Sequence, residues 1–127
     1  MNFKIDTKEK FTVITPLQID LYDNLTEELF KTATSCLQKQ VKNVVLNLKN
    51  IQTIEEASAE KIATLQQTFY ENSASFVICE VSKPVEEQLD HFQLLETMNI
   101  TPSESEAWDI VQMEEIEREL MDGFDES

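Results

Sequence analysis

Val-Val-Leu-Asn-Leu at residues 44–48 is a short and almost continuous apolar run, and it is the strongest indication of the fold. A second run of this kind, Phe-Val-Ile-Cys-Glu-Val, occupies residues 76–81. Such runs are typical of central strands that other elements cover. Residues 57–72 lie between them and repeat apolar side chains at helical spacing, which predicts an amphipathic helix. Strand, helix and strand in this order predict two parallel strands joined by a right-handed crossover.

The segment before this core predicts a hairpin and a helix. Residues 3–7 and 11–15 are rich in apolar and β-branched side chains and are separated by a polar turn, which predicts an N-terminal β-hairpin. A helix is expected from Asn24, because Asn24 can cap the amides that follow while Glu27 reaches back to it.

The segment after the core predicts two further helices and a short strand. Pro84 suits the first turn of a helix, where a backbone donor has no partner to lose. Residues 99–101 are predicted as a short edge strand. Ser103 and Glu106 then have the spacing of a capping box, which predicts the start of a last helix.

The amino-acid composition limits the kinds of partner that the chain can bind. The chain has 127 residues, the length of one domain, and its 25 acidic against 10 basic side chains give a net charge of −15. Phosphate backbones and anionic lipid headgroups are repelled by such a surface, so we expect neither nucleic-acid binding nor direct membrane binding. A partner with a cationic face suits it better.

Few residues offer cofactor or catalytic chemistry. The single glycine, Gly123, excludes glycine-rich phosphate loops, and Cys36, Cys79 and His91 lie too far apart in sequence for a zinc motif. We therefore expect no cofactor, no metal and no enzymatic activity. The cysteines are predicted to be reduced, partly buried thiols. No apolar run approaches the ~20 residues that span a bilayer, and no signal-peptide core is present, so a cytoplasmic location is expected.

The order of predicted elements is similar to that of the STAS domain, the fold of bacterial anti-sigma factor antagonists. Residues 42–51, Lys-Asn-Val-Val-Leu-Asn-Leu-Lys-Asn-Ile, resemble the family's central strand, and residues 76–85 resemble its next strand and the helix start that follows. The resemblance implies an α/β fold with a mixed sheet of four to five strands, helices packed mainly on one face, and an acidic C-terminal helix. We predict a STAS-like domain over residues 1–111 and an acidic helical extension or tail over residues 112–127.

The chain departs from the family at its regulatory loop. Thr-Ile-Glu-Glu-Ala-Ser-Ala-Glu, residues 53–60, falls where the family has Phe-Ile/Met-Asp-Ser-Ser/Thr-Gly-Leu-Gly. The family's first Ser in this stretch accepts phosphate from a kinase-type anti-sigma factor, and the resemblance assigns that position to Glu56, which has no hydroxyl. Three interpretations remain open. Glu55 and Glu56 are simple acids at a helix start, Glu56 imitates phosphoserine in part, or the acceptor has moved to Ser58.

The resemblance predicts a non-enzymatic regulatory module that binds a protein, either a kinase-type anti-sigma factor or a related regulator. An alternative is an accessory STAS subunit of a membrane-associated transport ATPase. The candidate partner-binding residues are acidic or polar and lie in two loops: Asp20, Asp23, Asn24, Glu55, Glu56 and Ser58.

The C-terminal segment is strongly acidic. Residues 104–127 hold ten acidic side chains and one basic one, and so carry −9 of the net charge of −15. Such a run is usually a solvated face or a frayed tail. The alternative is that Met113, Ile116 and Leu120, spaced as one helical stripe, dock on a partner.

Overall fold

A computed structural model describes residues 3–125, with side chains described as far as Met121. The strands are β1 (Phe3–Thr7), β2 (Thr12–Pro16), β3 (Asp20–Leu21), β4 (Val44–Asn47), β5 (Thr53–Ile54), β6 (Phe76–Cys79) and β7 (Ile100–Thr101). The α-helices are α1 (Asp23–Ser35), α2 (Glu56–Glu71), α3 (Lys83–His91) and α4 (Glu104–Asp125), and single 3₁₀ turns lie at Cys36–Gln38 and Leu95–Thr97.

The main sheet has five strands in the order β1-β2-β4-β6-β7. Strands β1 and β2 form the predicted antiparallel hairpin, and every other pairing in this sheet is parallel. Val44 pairs with Phe76 and Asn47 with Cys79, which confirms the predicted parallel crossover. The predicted edge strand is β7. The result is the mixed α/β fold that the sequence predicted.

Apolar side chains cover both faces of this sheet, which explains why its central strands read as continuous apolar runs. Val44 and Leu46 point into the larger core, which α1, α2 and α3 close. Val45, between them, points to the opposite face and packs with Ala107 and Val111 of α4. Successive side chains of a strand alternate between faces, so each central strand needs apolar residues throughout. Three helices thus share one face, and the acidic helix α4 covers the other.

The first residues of the helices show that one prediction was wrong and confirm two others. Asn24 is not the cap of α1, because the helix begins one residue earlier and Tyr22 is the N-cap residue, without a side-chain capping bond. Strand β3 keeps the chain extended up to Tyr22, whose carbonyl then accepts from the backbone N–H of Thr26 at 2.9 Å. Ser82 caps α3, which has Pro84 in its first turn. The backbone N–H of Glu106 donates to Ser103 Oγ at 3.2 Å, as the capping box predicts.

Helix α4 runs without interruption through the predicted boundary at residue 111. The side chains of residues 122–127, the last part of the predicted acidic tail, lie outside the described residues. The division into a domain and an extension therefore stays a prediction.

Candidate functional site

A two-stranded sheet, β3 with β5, joins the two loops that hold the candidate residues. Asp20 pairs with Thr53 in parallel register. The backbone N–H of Glu55 donates to the carbonyl of Leu21 at 3.2 Å. Because α1 and α2 begin directly after these strands, their N-termini lie side by side. We call the surface formed here the acidic face, and define it by Ile19, Asp20, Tyr22, Asp23, Glu55 and Glu56.

Three carboxylates of the acidic face are open to solvent. Asp20, Glu55 and Glu56 are exposed. Within residues 3–125 the structure shows no hydrogen bond or ion pair to their side chains. Glu55 is the N-cap residue of α2 but caps it without a side-chain bond, and Glu56 is the first helical residue. The positive end of the helix dipole favours both charges. The start of α2 therefore positions the backbone of both residues, and their exposed carboxylates are open to a partner.

Lys61 of α2 forms ion pairs with two carboxylates at the beginning of α1. Its ammonium donates to Glu27 Oε1 at 2.8 Å and to Asp23 Oδ1 at 2.9 Å. These hydrogen bonds, to Glu27 first and then to Asp23, raise the pKa of Lys61 above its ordinary value. The carboxylate of Asp23 is thus already engaged within the chain, while Asn24 beside it is exposed. These exposed ion pairs link α1 to α2 beside the acidic face.

Ser58 lies beneath the acidic face and not on it. Its exposed fraction is 0%, and its Oγ accepts a hydrogen bond of 2.7 Å from Thr26 Oγ1. The Thr26 hydroxyl also lies 2.8 Å from the carbonyl of Tyr22. The structure therefore brings four of the six candidate residues to the acidic face, leaves Asn24 exposed beside it, and buries Ser58 between α1 and α2. A partner at this surface would not touch the Ser58 hydroxyl unless these helices separated.

Two apolar members of the acidic face were not among the candidate residues. Ile19 is 63% exposed and Tyr22 is 40% exposed. Ile19 is held by its carbonyl, which accepts from the backbone N–H of Gln52 at 2.7 Å. Their position in the sequence could have indicated them. Both are apolar, yet they lie between the strand that ends at Pro16 and the next helix, outside any periodic pattern.

The cysteines are buried away from this surface. Burial, with smaller contributions from Glu80 and Glu104, raises the pKa of Cys79 to about 12, and burial also raises the pKa of Cys36. Both are free thiols in the structure. Within residues 3–125 no three His, Cys, Asp or Glu side chains are grouped so as to hold a metal ion. No helix of that described part combines the length and apolarity needed to cross a bilayer.

The family model of the STAS domain matches residues 2–107. The chain belongs to the STAS domain family. A comparison with curated protein sequences finds no match.

Several solved structures share this STAS fold. The crystal structure of TM1081 from Thermotoga maritima has a TM-score of 0.74 and 18% identity, and the match covers 87% of this chain and 94% of that one. The anti-sigma factor antagonist SpoIIAA in its unphosphorylated form has a TM-score of 0.68 and 18% identity, over 87% of this chain and 96% of that one. The phosphorylated form of SpoIIAA, a Bacillus cell fate determinant, also matches, with a TM-score of 0.63 and 15% identity over 86% and 98% of the two chains.

The same fold occurs within a much larger protein. The murine anion transporter Slc26a9 matches with a TM-score of 0.65 and 13% identity, over 82% of this STAS chain but only 18% of its own. At these identities the likeness shows the fold alone. It is the fold of both an anti-sigma factor antagonist and one part of an anion transporter.

Proposed function

We propose that this STAS protein is a non-enzymatic regulator that binds a protein partner through the acidic face. The partner is a kinase-type anti-sigma factor or a related regulator, and Glu56 stands where phosphorylation-controlled relatives have a serine. Membership of the STAS family and the likeness to the antagonist SpoIIAA support the proposal. The rest of the support comes from the chemistry of the acidic face.

The observation that carries the proposal is the combination of apolar and charged groups on a rigid surface. Ile19 and Tyr22 expose apolar area beside the carboxylates of Asp20, Glu55 and Glu56. Apolar side chains rimmed by polar ones are typical of protein interfaces. The pairing of β3 with β5 and the two ion pairs of Lys61 support both helix starts, so little order has to be gained on binding.

Glu56 cannot be switched as a serine can. Its carboxylate has no hydroxyl that a kinase could esterify, and its single negative charge is smaller than that of a phosphoserine, about −1.5 to −2. We favour the interpretation in which Glu56 contacts a cationic group of the partner, because a protein held permanently in an off state would have little use. Phosphorylation at Ser58 is not part of the proposal, since its hydroxyl is buried against Thr26.

The partner is expected to present basic side chains around an apolar centre. The net charge of −15 favours such an encounter at long range, and the exposed carboxylates favour it at contact. The buried part of the contact would be made by Ile19 and Tyr22. Burying one large apolar side chain contributes about 1.5–3 kcal/mol, which is roughly a factor of ten to a hundred in affinity.

The test is capture of the partner from the native host with the tagged full-length chain, followed by mass spectrometry. The site variant is Ile19→Ser, and the matched control is Ile5→Ser, which removes another exposed isoleucine from strand β1. We expect Ile19→Ser to reduce capture about tenfold, as loss of one buried apolar side chain implies, and Ile5→Ser to leave it unchanged. Equal capture by both variants would contradict the proposed surface.

The identity of the captured protein decides between the two partner classes. A kinase-type anti-sigma factor, or another regulator, supports the proposal. A subunit of a membrane-associated transport ATPase would instead support the accessory-subunit alternative, with the same acidic face as the contact surface.

A further inference from the structure

Helix α4 has apolar side chains on two opposite sides. Ala107 and Val111 face inward and are fully buried against the sheet. Met113, Ile116 and Leu120 recur at intervals of three and four residues on the opposite side of the helix, where they are 55%, 56% and 60% exposed. We call these three residues the outer stripe. The outer stripe spans about 10 Å along the helix axis, so its side chains form one continuous apolar surface and are not isolated exposed residues.

Polar contacts on the inner side fix the orientation of this helix. Arg118 Nη1 donates to Ser75 Oγ at 3.1 Å. Asn43 is buried, and its Nδ2 donates to Glu115 Oε2 at 3.0 Å. Asn99 Nδ2 donates to Oε2 of the neighbouring helix residue, Glu114, at 3.2 Å. Because these contacts fall beyond Val111, the second half of α4 is held against the domain and the outer stripe is held toward solvent.

The charges around the outer stripe are all negative. Asp109 precedes Met113 by one turn on the same side, and Glu117 and Glu119 flank the stripe; all three are exposed. Arg118 is the one base between residues 104 and 127, and its contacts to Ser75 and Asn43 turn it inward. A surface that covers the stripe would therefore place its own rim against carboxylates on both flanks.

These observations argue against a second copy of this chain as the occupant. Two outer stripes packed together would set carboxylate against carboxylate, with no base of either α4 available between them. Each chain also carries a net charge of −15. Like charges opposed at an interface are disfavoured, whereas a basic rim would find complementary charge on both flanks.

We propose that the outer stripe is a docking surface for a basic amphipathic helix of another protein, one with apolar residues along one side and lysines or arginines beside them. Such a helix would lay its apolar side along Met113, Ile116 and Leu120 and pair its bases with the flanking carboxylates. Met113 and the aliphatic side chains of Ile116 and Leu120 suit an adaptable apolar contact. Helix α4 covers the opposite face of the sheet from α1 and α2, so this surface is separate from the acidic face.

The test uses a synthetic probe, so that no natural partner has to be known. The probe is a fluorescent helical peptide of about six turns, with leucines on one side and lysines on both flanks. A peptide of the same composition, reordered so that no apolar side remains, controls for attraction to the net charge. Fluorescence anisotropy with the full-length chain measures both dissociation constants. The variants are Ile116→Gln with Leu120→Gln, which keeps helix propensity, and Ile19→Gln, which alters the acidic face instead.

We expect the probe to bind the wild-type chain at least about tenfold more tightly than the reordered peptide does, and about tenfold more tightly than it binds the Ile116→Gln, Leu120→Gln chain. Raising the salt from about 0.05 M to about 0.5 M should weaken binding, because the flanking charge pairs are exposed. Ile19→Gln should leave the dissociation constant within about twofold. Weakening by Ile19→Gln alone, or equal binding of the two peptides, would overturn the proposal. So would a wild-type dimer in sedimentation equilibrium that the double variant abolishes, since the occupant would then be a second copy.

Discussion

Replacing Arg118 with methionine tests whether the second half of α4 is part of the folded domain. Methionine keeps most of the length and apolar volume of the arginine stem but removes its donors. Arg118 Nη1 lies 3.1 Å from Ser75 Oγ, and Nη2 lies 3.5 Å from Asn43 Oδ1. The first distance is that of an effective hydrogen bond, and the second is too long to add much.

The expected cost follows from what each acceptor keeps. Asn43 Oδ1 still accepts from the backbone N–H of Ser75 at 2.8 Å, so Asn43 stays satisfied. Ser75 is 1% exposed, and its hydroxyl oxygen loses the donor that the structure gives it. A buried acceptor left unpaired costs about 1–3 kcal/mol, so we expect Arg118→Met to lower the free energy of unfolding by about 2 kcal/mol. At about 2.1 cal/mol/K of unfolding entropy per residue, this corresponds to a Tm about 7 °C lower.

Urea unfolding followed by circular dichroism measures the change in free energy, and hydrogen exchange shows where protection is lost. The control is Lys31→Met, which removes the same charge from an exposed position on α1 and should change stability by less than about 0.5 kcal/mol. Exchange of amides in residues 112–120 should rise more in Arg118→Met than in the control. If the two variants unfold at the same urea concentration and exchange alike, the anchoring of α4 by Arg118 is refuted, and with it the fixed orientation of the outer stripe.

Three further predictions concern single side chains. Glu56→Ser and Glu56→Gln should each weaken binding to the captured partner by about 1 kcal/mol or less, the size of an exposed charge contact. The control Glu60→Gln, one turn later on the exposed side of α2, should not weaken binding. Tighter binding of Glu56→Ser in titration calorimetry would instead mean that Glu56 imitates phosphoserine. Incubation with a cognate kinase-type anti-sigma factor and ATP should add no phosphate to the chain at Glu56 or Ser58, as measured by intact-mass and peptide mass spectrometry. A phosphate on Ser58 would show that α1 and α2 separate. The folded chain keeps the Cys79 thiol protonated up to about pH 12, whereas the unfolded chain releases that proton near the ordinary pKa of cysteine, so the free energy of unfolding should fall as the pH rises through this interval. Cys79→Ala should show a shallower fall in urea unfolding. Identical slopes for the two chains would contradict this prediction.

The parts of the fold that depend on local pattern could be predicted from the amino-acid sequence alone. The apolar runs at residues 44–48 and 76–81 specified buried strands, and the helical spacing between them required a parallel crossover. Pro84 and Ser103 marked helix starts because their effects act within one turn. The lack of a hydroxyl on Glu56 is likewise a property of the residue itself, and needs no structure.

How these helices and strands pack together depends on contacts between distant parts of the chain. Strands β3 and β5 have two residues each, too few for a periodic pattern, and their pairing joins positions more than 30 residues apart, Asp20 with Thr53. The same packing exposed Ile19 and Tyr22 and buried Ser58 against Thr26, although hydroxyl residues are more often on the surface. Which side of α4 faces the sheet also depended on distant partners, Ser75 and Asn43 for Arg118. Local sequence sets the polarity of each helix and strand, but the burial of a given side chain depends on long-range contacts that no single segment contains.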